Sequence, residues 1–326
     1  MKNDPTSNCK PCPTKVCVVL TCLMSLLWAV GYPLPLSAQE SASASIQAQR
    51  GHWRSLADTD QRFAQRAEEA GRTAAFLEFL AQDSVVFRSG PVDAIELYSS
   101  SAFAEEASPI AWKAHYVDVS AAGDLGLSAG PLTIFGDSGS PVFGHLISIW
   151  RFIDDRWQLM ADITVNIPGF LSLDVEPNFA DTLPLIEETA NPRSVGVMEN
   201  TVQSLVDADE LYGRSINFRG GQRALLRYGL ENTRVYLPGM GPAVGAEAAS
   251  SVYGAFLDTQ LATTNPISLS NVGAFLSQSK EMAYTYGTMQ ADNAETEAGF
   301  QASYMRLWRF DRSGEWRIAV EVLSPF

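Results

Sequence analysis

An internal repeat constrains the fold of this chain more than any other feature of its sequence. The segment Leu56–Gly90 aligns without a gap with the segment Leu205–Gly239, at an offset of 149 residues. Glycines, acidic residues and aliphatic residues coincide in the two copies, and Phe and Tyr replace one another. A period of this length indicates two tandem domains of one fold rather than a solenoid of short repeats. A length of 326 residues agrees with two domains.

The C-terminal parts of the two copies also match. Ser148–Ile163 corresponds to Arg306–Val322, with one additional residue at the turn of the second copy. Two tryptophans and an acidic residue coincide: Trp150 with Trp308, Trp157 with Trp316, and Asp162 with Glu321. The repeat therefore predicts a first domain over residues 51–166 and a second over 197–326. Residues 167–196, which are rich in proline and acidic residues, are predicted to be a linker.

The N-terminal segment has the features of a targeting sequence. Three lysines precede an uncharged run from Val16 to Leu36, and small residues follow at a suitable cleavage site, which predicts a signal peptide over residues 1–38. An uncleaved anchor is the alternative, since the run is long enough to span a bilayer. Residues 39–50 are small and polar and are predicted to be a flexible lead-in. We therefore expect a periplasmic or secreted protein.

Both copies show helical periodicity first and strand-like alternation afterwards. In the first copy, apolar residues recur at helical spacing from Leu56 and stop at Gly71, a suitable helix C-cap. A second helix, a short strand near Val85–Phe87 and a small helix near Asp93–Tyr98 are expected next, followed by strands only. Helices followed by a mostly antiparallel sheet define an α+β fold.

This order of elements, with a meander that ends in a Trp-Arg-Phe strand and a final strand ending near Asp162 or Glu321, resembles the nuclear transport factor 2-like superfamily. Within it, the chain is most similar to SnoaL-like and ketosteroid-isomerase-like bacterial members. The resemblance implies two cone-shaped domains, each with N-terminal helices closing a curved sheet over an apolar pocket. It also implies that the two copies pack sheet against sheet as an intrachain pseudo-dimer, with a homo-oligomer as a further option. Members of the superfamily include isomerases, cyclases, dehydratases and hydrolases, so the fold does not determine the activity.

The composition argues against several classes of partner. The net charge is −14, which disfavours nucleic acids and anionic membrane surfaces, and no membrane contact is expected after signal cleavage. All four cysteines lie within residues 1–38, so the mature chain would contain neither thiol nor disulfide. The three histidines show no metal-ligand spacing. We predict no metal and no cofactor.

The string GDSGSP, which contains Ser138, resembles the nucleophile motif of chymotrypsin-like proteases. The second copy has the unrelated, acidic segment Gln290–Phe300 at the same place, between two predicted strands. Gly, Asp, Ser and Pro are common turn formers, and the upstream histidines His52 and His115 lack the context of a catalytic triad. Ser138 is therefore interpreted as a loop residue.

The last hairpin of the first copy supplies the candidate catalytic residues. With Asp154-Asp155 as a two-residue turn, simple alternation places Ile147 opposite Asp162. His145 and Asp162 then become diagonal neighbours on one face of the sheet. A His–carboxylate pair beside apolar residues is suited to general acid–base chemistry, and the resemblance agrees, since some SnoaL-like cyclases use such a pair. The opposite hypothesis is that this face is a structural interface between the two copies.

Three further residues are candidates for ligand binding. Asp60 lies on the first helix one turn before Phe63, His115 lies on a predicted strand over residues 112–119, and Glu321 aligns with Asp162. The second copy contains no histidine, and Ser303 replaces His145. Histidine-dependent chemistry therefore belongs to the first copy. Structural roles are the alternative for each: helix capping for Asp60 and a buried, hydrogen-bonded ring for His115.

The sequence thus supports three hypotheses about function. The first is an exported tandem-domain protein that binds a small, largely apolar molecule. The second is a cofactor-free lyase, isomerase or hydrolase that uses His145 and Asp162. The third is a non-catalytic interaction scaffold. Nothing in the sequence specifies the ligand.

Overall fold

The computed structural model describes residues 36–106, 108–136, 139–182, 200–260, 266–291 and 299–326. It contains two α+β domains in tandem, so the predicted fold class is confirmed. The predicted signal peptide up to residue 35, Asp137 and Ser138 of the GDSGSP string, and residues 183–199 of the predicted linker lie outside the described residues.

The first domain consists of helices followed by a meander, as the periodicity predicts. Its helices and first strands are α1 (Leu36–Ala70), α2 (Arg72–Phe79), β1 (Leu80–Arg88), β2 (Gly90–Asp93), α3 (Ala94–Ser99) and α4 (Ser101–Glu106). Its remaining strands are β3 (Ile110–Trp112), β4 (Tyr116–Val119), β5 (Leu125–Ile134), β6 (Val142–Ile153) and β7 (Arg156–Ile167). The strand order is β2-β1-β7-β6-β5-β3, with β4 also paired to β5.

The second domain repeats this plan. Its elements are α5 (Val202–Arg219), α6 (Gly221–Tyr228), β8 (Gly229–Tyr236), β9 (Ala243–Val244), α7 (Ala246–Gln260), β10 (Ile267–Leu276), β11 (Met282–Ala291), β12 (Phe300–Phe310) and β13 (Trp316–Pro325). The strand order is β10-β11-β12-β13-β8-β9. In each domain the last strand pairs in parallel with the strand that follows the second helix, β1 or β8.

The first helix of each domain ends where the sequence predicts. Gly71 follows α1 with φ 86°, and Gly220 follows α5 with φ 78°. A residue without Cβ adopts this backbone conformation at little cost, which allows the chain to turn directly into the next helix. At the other end of α5, Thr201 and Ser204 form a reciprocal capping box.

The predicted flexible lead-in is wrong, because residues 39–50 belong to α1. Ala, Gln and Glu are strong helix formers, and the tertiary contacts of this segment stabilise the helix further. Gln49 Nε2 donates to the carbonyl of Val119 at 3.1 Å, and Trp53 Nε1 donates to the carbonyl of Val117 at 2.9 Å. Part of the predicted linker, residues 167–196, also packs on this helix, since Phe179 meets the Trp53 ring edge-on at 6.0 Å.

The interior face of each sheet packs under its own helices, and the outer faces of the two sheets pack against each other. The core between the sheets draws on both domains, including Ile147, Ile149, Met160, Ile163 and Val165 from the first and Met282, Met305, Leu307, Val320 and Val322 from the second. The arrangement is a pair of like domains within one chain, joined through an apolar layer.

A buried ion cluster crosses this layer. The Arg309 guanidinium of the second domain donates to both carboxylate oxygens of Asp118 in the first, with Nε at 3.2 Å from Oδ2. It also contacts Glu281 at 3.2 Å and the carbonyl of Val119 at 3.0 Å. Both carboxylates raise the pKa of Arg309 against the opposing effect of its burial. Arg309 therefore keeps its positive charge although it is buried between the two domains.

Candidate functional site

The hairpin β6–β7 carries both proposed catalytic residues, and its register differs from the predicted one. The turn residues Asp154 and Asp155 have φ 50° and 60°, as a two-residue hairpin turn requires. Trp150 pairs with Leu159 as predicted, but the register then shifts, so that Ile149 pairs with Ala161. Met160 is the additional residue of this β-bulge.

The bulge separates His145 from Asp162, so the prediction that they share one face of the sheet is wrong. Asp162 pairs with Ser148 and faces the interior of the first domain, whereas His145 pairs with Val165 on the outer face. After the extra residue of a bulge, each following side chain lies on the face opposite to the one that simple alternation predicts. The structure therefore does not bring the two residues together.

His145 lies between the two domains. Its ring meets Tyr236 of the second domain at a centroid distance of 5.4 Å, and it is buried. Burial, with a contribution from the nearby His115, lowers its pKa to about 4. His115 lies in the short break between β3 and β4 and is half-buried; burial lowers its pKa too. The lowered pKa values favour the neutral form of both rings near pH 7. His145 contacts the second domain, as the interface alternative predicts.

Asp162 is buried inside the first domain. Its Oδ2 atom has no hydrogen-bond partner among the described residues. Burial raises the pKa of Asp162 to about 7. Arg72 and Arg88 oppose this rise electrostatically, whereas Asp60 adds to it. A raised pKa together with an unpartnered oxygen on the same buried carboxyl marks a candidate functional residue.

Asp60 approaches the same region from helix α1. Its Oδ1 accepts a hydrogen bond from Ser128 Oγ at 2.6 Å, and Ser128 Oγ in turn accepts from Trp150 Nε1 at 2.8 Å. Burial raises the pKa of Asp60 to about 6, and the Ser128 hydroxyl opposes this rise. Asp60 is therefore part of the interior of the domain and does not cap the helix.

Four residues of the first domain form what we call the acidic site: Asp60, Asp162, Ser128 and Ser148. Ser128, Ser148 and Asp162 lie in one row across β5, β6 and β7, because Ser128 pairs with Ser148 and Ser148 pairs with Asp162. Aromatic rings surround the site. Phe63 packs edge-on against Trp112 and Trp150, at 4.7 and 5.6 Å.

The equivalent place in the second domain contains a cation. Arg306 stands in the row at the position of Ser148, between Thr285 and Glu321. Its Nη1 donates to Asp209 Oδ1 at 2.7 Å, and its Nε and Nη2 donate to the two carboxylate oxygens of Glu321 at 2.7 and 3.1 Å. Both carboxylates raise the pKa of Arg306. Glu321 is thus an ion-pair partner of a buried arginine, and it is not free to bind a ligand as the sequence analysis proposed.

Asp209 is also fully engaged. It accepts hydrogen bonds from Asn271, Thr285 and Tyr304, at 2.9, 3.1 and 2.7 Å, in addition to its bond with Arg306. In the first domain, Leu146 and Ser148 stand at the aligned positions of Tyr304 and Arg306. The two domains therefore share a pair of carboxyls and a hydroxyl donor, Ser128 or Thr285, but the first domain lacks the Tyr304 and Arg306 groups that complete the site in the second. Sequence reasoning noted the aligned carboxyls and missed the arginine between them.

A separate surface cleft lies outside the acidic site. This cleft of about 280 Å³ lies between α1, α2 and the β6–β7 turn, and Thr59, Arg62 and Trp157 are among its lining residues. Arg62 donates to Thr59 there at 2.8 Å. Among the described residues, no three His, Cys, Asp or Glu side chains are grouped as metal ligands. No helix within the described ranges has the length and apolar composition needed to cross a bilayer.

Solved structures that resemble this chain include nuclear transport factor 2-like and ketosteroid isomerase-like proteins. A ketosteroid isomerase-like protein from Erwinia carotovora atroseptica is 18% identical with a TM-score of 0.32, and the match covers 40% of this chain and 98% of that chain. A protein of unknown function from Pseudomonas putida, described as NTF2-like, is 11% identical with a TM-score of 0.33, covering 40% and 89%. Another from Shewanella oneidensis is 12% identical with a TM-score of 0.31, covering 37% and 97%.

No protein-family model and no curated protein matches the sequence.

Proposed function

We propose that the chain is an exported protein whose first domain binds a small, largely apolar molecule at the acidic site. The observation that carries this proposal is the buried Oδ2 atom of Asp162, which lacks a hydrogen-bond partner among the described residues. A buried polar atom without a partner costs about 1–3 kcal/mol. A ligand that donates a hydrogen bond to this oxygen would recover that free energy.

The surroundings of the acidic site support an apolar ligand body. Phe63, Phe76, Trp112 and Trp150 are buried members of one apolar cluster under the helices of the first domain. Ligand sites typically combine such a lining with a few convergent polar groups. Here the polar groups are the carboxyls of Asp60 and Asp162 and the hydroxyls of Ser128 and Ser148.

Proton transfer is a second candidate function, favoured by the pKa of Asp162, which burial raises to about 7. A carboxyl with such a pKa can take up and return a proton near neutral pH, as isomerisation or elimination next to a carbonyl requires. Asp162 would act without His145, which faces the other domain. Once a substrate is known, Asp162→Asn should abolish turnover and leave binding nearly intact if this chemistry occurs.

Native mass spectrometry tests ligand binding directly. The wild type, Ser148→Met and Ser140→Met are exposed to lipid and metabolite extracts, desalted and weighed without denaturation. Ser148→Met fills the acidic site, whereas Ser140 is exposed on a loop and provides a matched control. We expect the same small adduct on the wild type and on Ser140→Met, and none on Ser148→Met. Bare protein in all three samples would favour the interaction scaffold, and an adduct that persists in Ser148→Met would place the ligand elsewhere.

A further inference from the structure

In the second domain, a guanidinium group occupies the place that corresponds to the acidic site of the first domain. The guanidinium of Arg306 lies between the carboxylates of Asp209 and Glu321. It also lies over the rings of Tyr212 and Tyr304, with its central carbon 4.7 and 4.0 Å from the ring centroids. Two carboxylates and an aromatic face are together a typical environment for an organic cation.

The first domain retains most of this environment and lacks the cation. Asp60 aligns with Asp209, Asp162 with Glu321, and Phe63 with Tyr212, whereas Ser148 stands in place of Arg306. We propose that the ligand of the first domain carries an amine, amidine or guanidine whose cationic group takes the place that the Arg306 guanidinium has in the second domain. This inference rests on the proposed function and specifies the class of ligand.

Four titratable groups of the first domain face Asp162 from several elements. Arg72 on α2, Arg88 on β1, Asp60 on α1 and Tyr98 on α3 all interact with it electrostatically. Neither arginine is hydrogen-bonded to Asp162 Oδ2. The guanidinium of Arg72 instead lies near the rings of Phe76, Tyr98 and Phe103, at 5.5 to 6.0 Å. Neither arginine therefore satisfies the buried Oδ2 atom of Asp162.

An intramolecular cation provides the first test. Ser148→Arg copies the second domain, and Ser148→Met adds a long side chain without charge. At pH 8 we expect Ser148→Arg to melt about 3–6 °C above Ser148→Met, because it forms charge-assisted hydrogen bonds with buried carboxylates. In an Asp162→Asn background most of this difference should disappear. A melting temperature of Ser148→Arg at or below that of Ser148→Met, or failure of Ser148→Arg alone to fold, would overturn the proposal.

A matched pair of small probes provides the second test and applies even if neither variant folds. n-Propylguanidinium reproduces the arginine side chain, and n-propylurea is its neutral near-isostere. Binding to the wild type is followed by chemical-shift changes in the first domain at pH 8. We expect at least a tenfold preference for the guanidinium, a preference that is lost in Asp162→Asn. Equal affinities, or no selective shift, would overturn the cationic assignment.

The experiments distinguish failure of the proposed function from failure of the cationic assignment. If the extract adduct is present on the wild type and absent from Ser148→Met, but the bound molecule is neutral or anionic, the proposed function stands and the cationic assignment is wrong. An anionic molecule would instead point to Arg72 and Arg88 as its partners. If no adduct is found in any sample, the proposed function itself fails.

Discussion

Ser148 pairs with Asp162 across strands β6 and β7 in the same register that pairs Arg306 with Glu321 in the second domain. In the second domain the row contains a cation bound to two carboxylates. In the first it contains a short hydroxyl beside a carboxyl whose Oδ2 atom has no hydrogen-bond partner in the part of the chain that the structure describes. The two sites can be compared directly, because the two domains share the same bulge, the same first helix and the same tryptophan at this position. The difference between the domains is therefore local, and it concerns the residues that would bind a ligand.

The protonation of Asp162 predicts how stability depends on pH. Its pKa in the folded state, about 7, is above the ordinary value of 3.8. A raised folded-state pKa contributes stability that is fully present below the unfolded pKa and is lost as pH rises through the folded one. Asp162→Asn removes this loss. We expect the variant to exceed the wild type by roughly 2–4 kcal/mol at pH 8 and to match it near pH 4.

Chemical denaturation at pH 4, 6 and 8 measures this difference. Asp58→Asn, on the exposed side of the same helix as Asp60, is the control and should change the free energy of unfolding equally little at each pH. A gain from Asp162→Asn that is the same at pH 4 and pH 8 would contradict the assigned protonation.

His145 predicts the opposite pH dependence. Burial between the domains lowers its pKa to about 4, from an ordinary value of 6.5. The folded state therefore favours the neutral ring, and the contribution of His145 to stability is lost as pH falls from about 6.5 to 4. His145→Gln should show a smaller loss than the wild type over this window. His52→Gln, on helix α1, is the control and should leave the dependence of the free energy of unfolding on pH as it is in the wild type. The same pH dependence in the wild type and in His145→Gln would contradict the prediction.

The interdomain cation Arg309 predicts a large and asymmetric mutational effect. Arg309→Met leaves the carboxylates of Asp118 and Glu281 buried without their shared cation, and should destabilise the protein by about 3–5 kcal/mol. The aligned residue in the first domain, Arg151, lies over the Phe275 ring of the second domain at 3.8 Å. Because Arg151 is only partly buried and stacks on an aromatic ring, Arg151→Met should cost about 1–2 kcal/mol. Urea unfolding of both variants checks the order, and similar losses would contradict the account of the interface.

The first domain in isolation is predicted to associate. A fragment of residues 36–182 exposes the apolar outer face of its sheet, including Ile147, Ile149 and Ile163. A contiguous exposed apolar patch promotes association or aggregation. Light scattering after size-exclusion chromatography should show a dimer or larger species, and substituting Ile147 and Ile163 with Lys should shift the fragment towards the monomer. A stable monomer of the unmodified fragment would argue against dependence on the second domain.

Much of the fold could be predicted from the sequence, because it depends on repetition and periodicity. The repeat located both domains, Gly71 located the end of the first helix, and the Asp154-Asp155 turn fixed the start of the hairpin register. The bulge at Met160 could not be read from the sequence, because alternation assumes one residue for one residue and a bulge has no local residue preference strong enough to mark it. This one residue separated His145 from Asp162.

The acidic site was predictable only in part. Asp60 and Asp162 stood out because they recur as Asp209 and Glu321. Arg306 did not, because its aligned residue is a serine and a lone arginine in a strand reads as a solvated side chain. A comparison that also asked which charges differ between the copies would have found it. The helical character of residues 39–50 depended on contacts of Gln49 and Trp53 with distant strands, which local composition does not show.

A titration of the carboxyl carbons of Asp60 and Asp162 by NMR in the ligand-free protein tests the central claim most directly. If no cation is hydrogen-bonded to the buried Oδ2 atom of Asp162, Asp162 should titrate near 7 and Asp60 near 6. Both should titrate at lower pH in Ser148→Arg, because an opposite charge favours the ionised form. Titration of both carboxyls near 3.8 in the wild type would contradict the account, because it would mean that these groups are already paired or solvated.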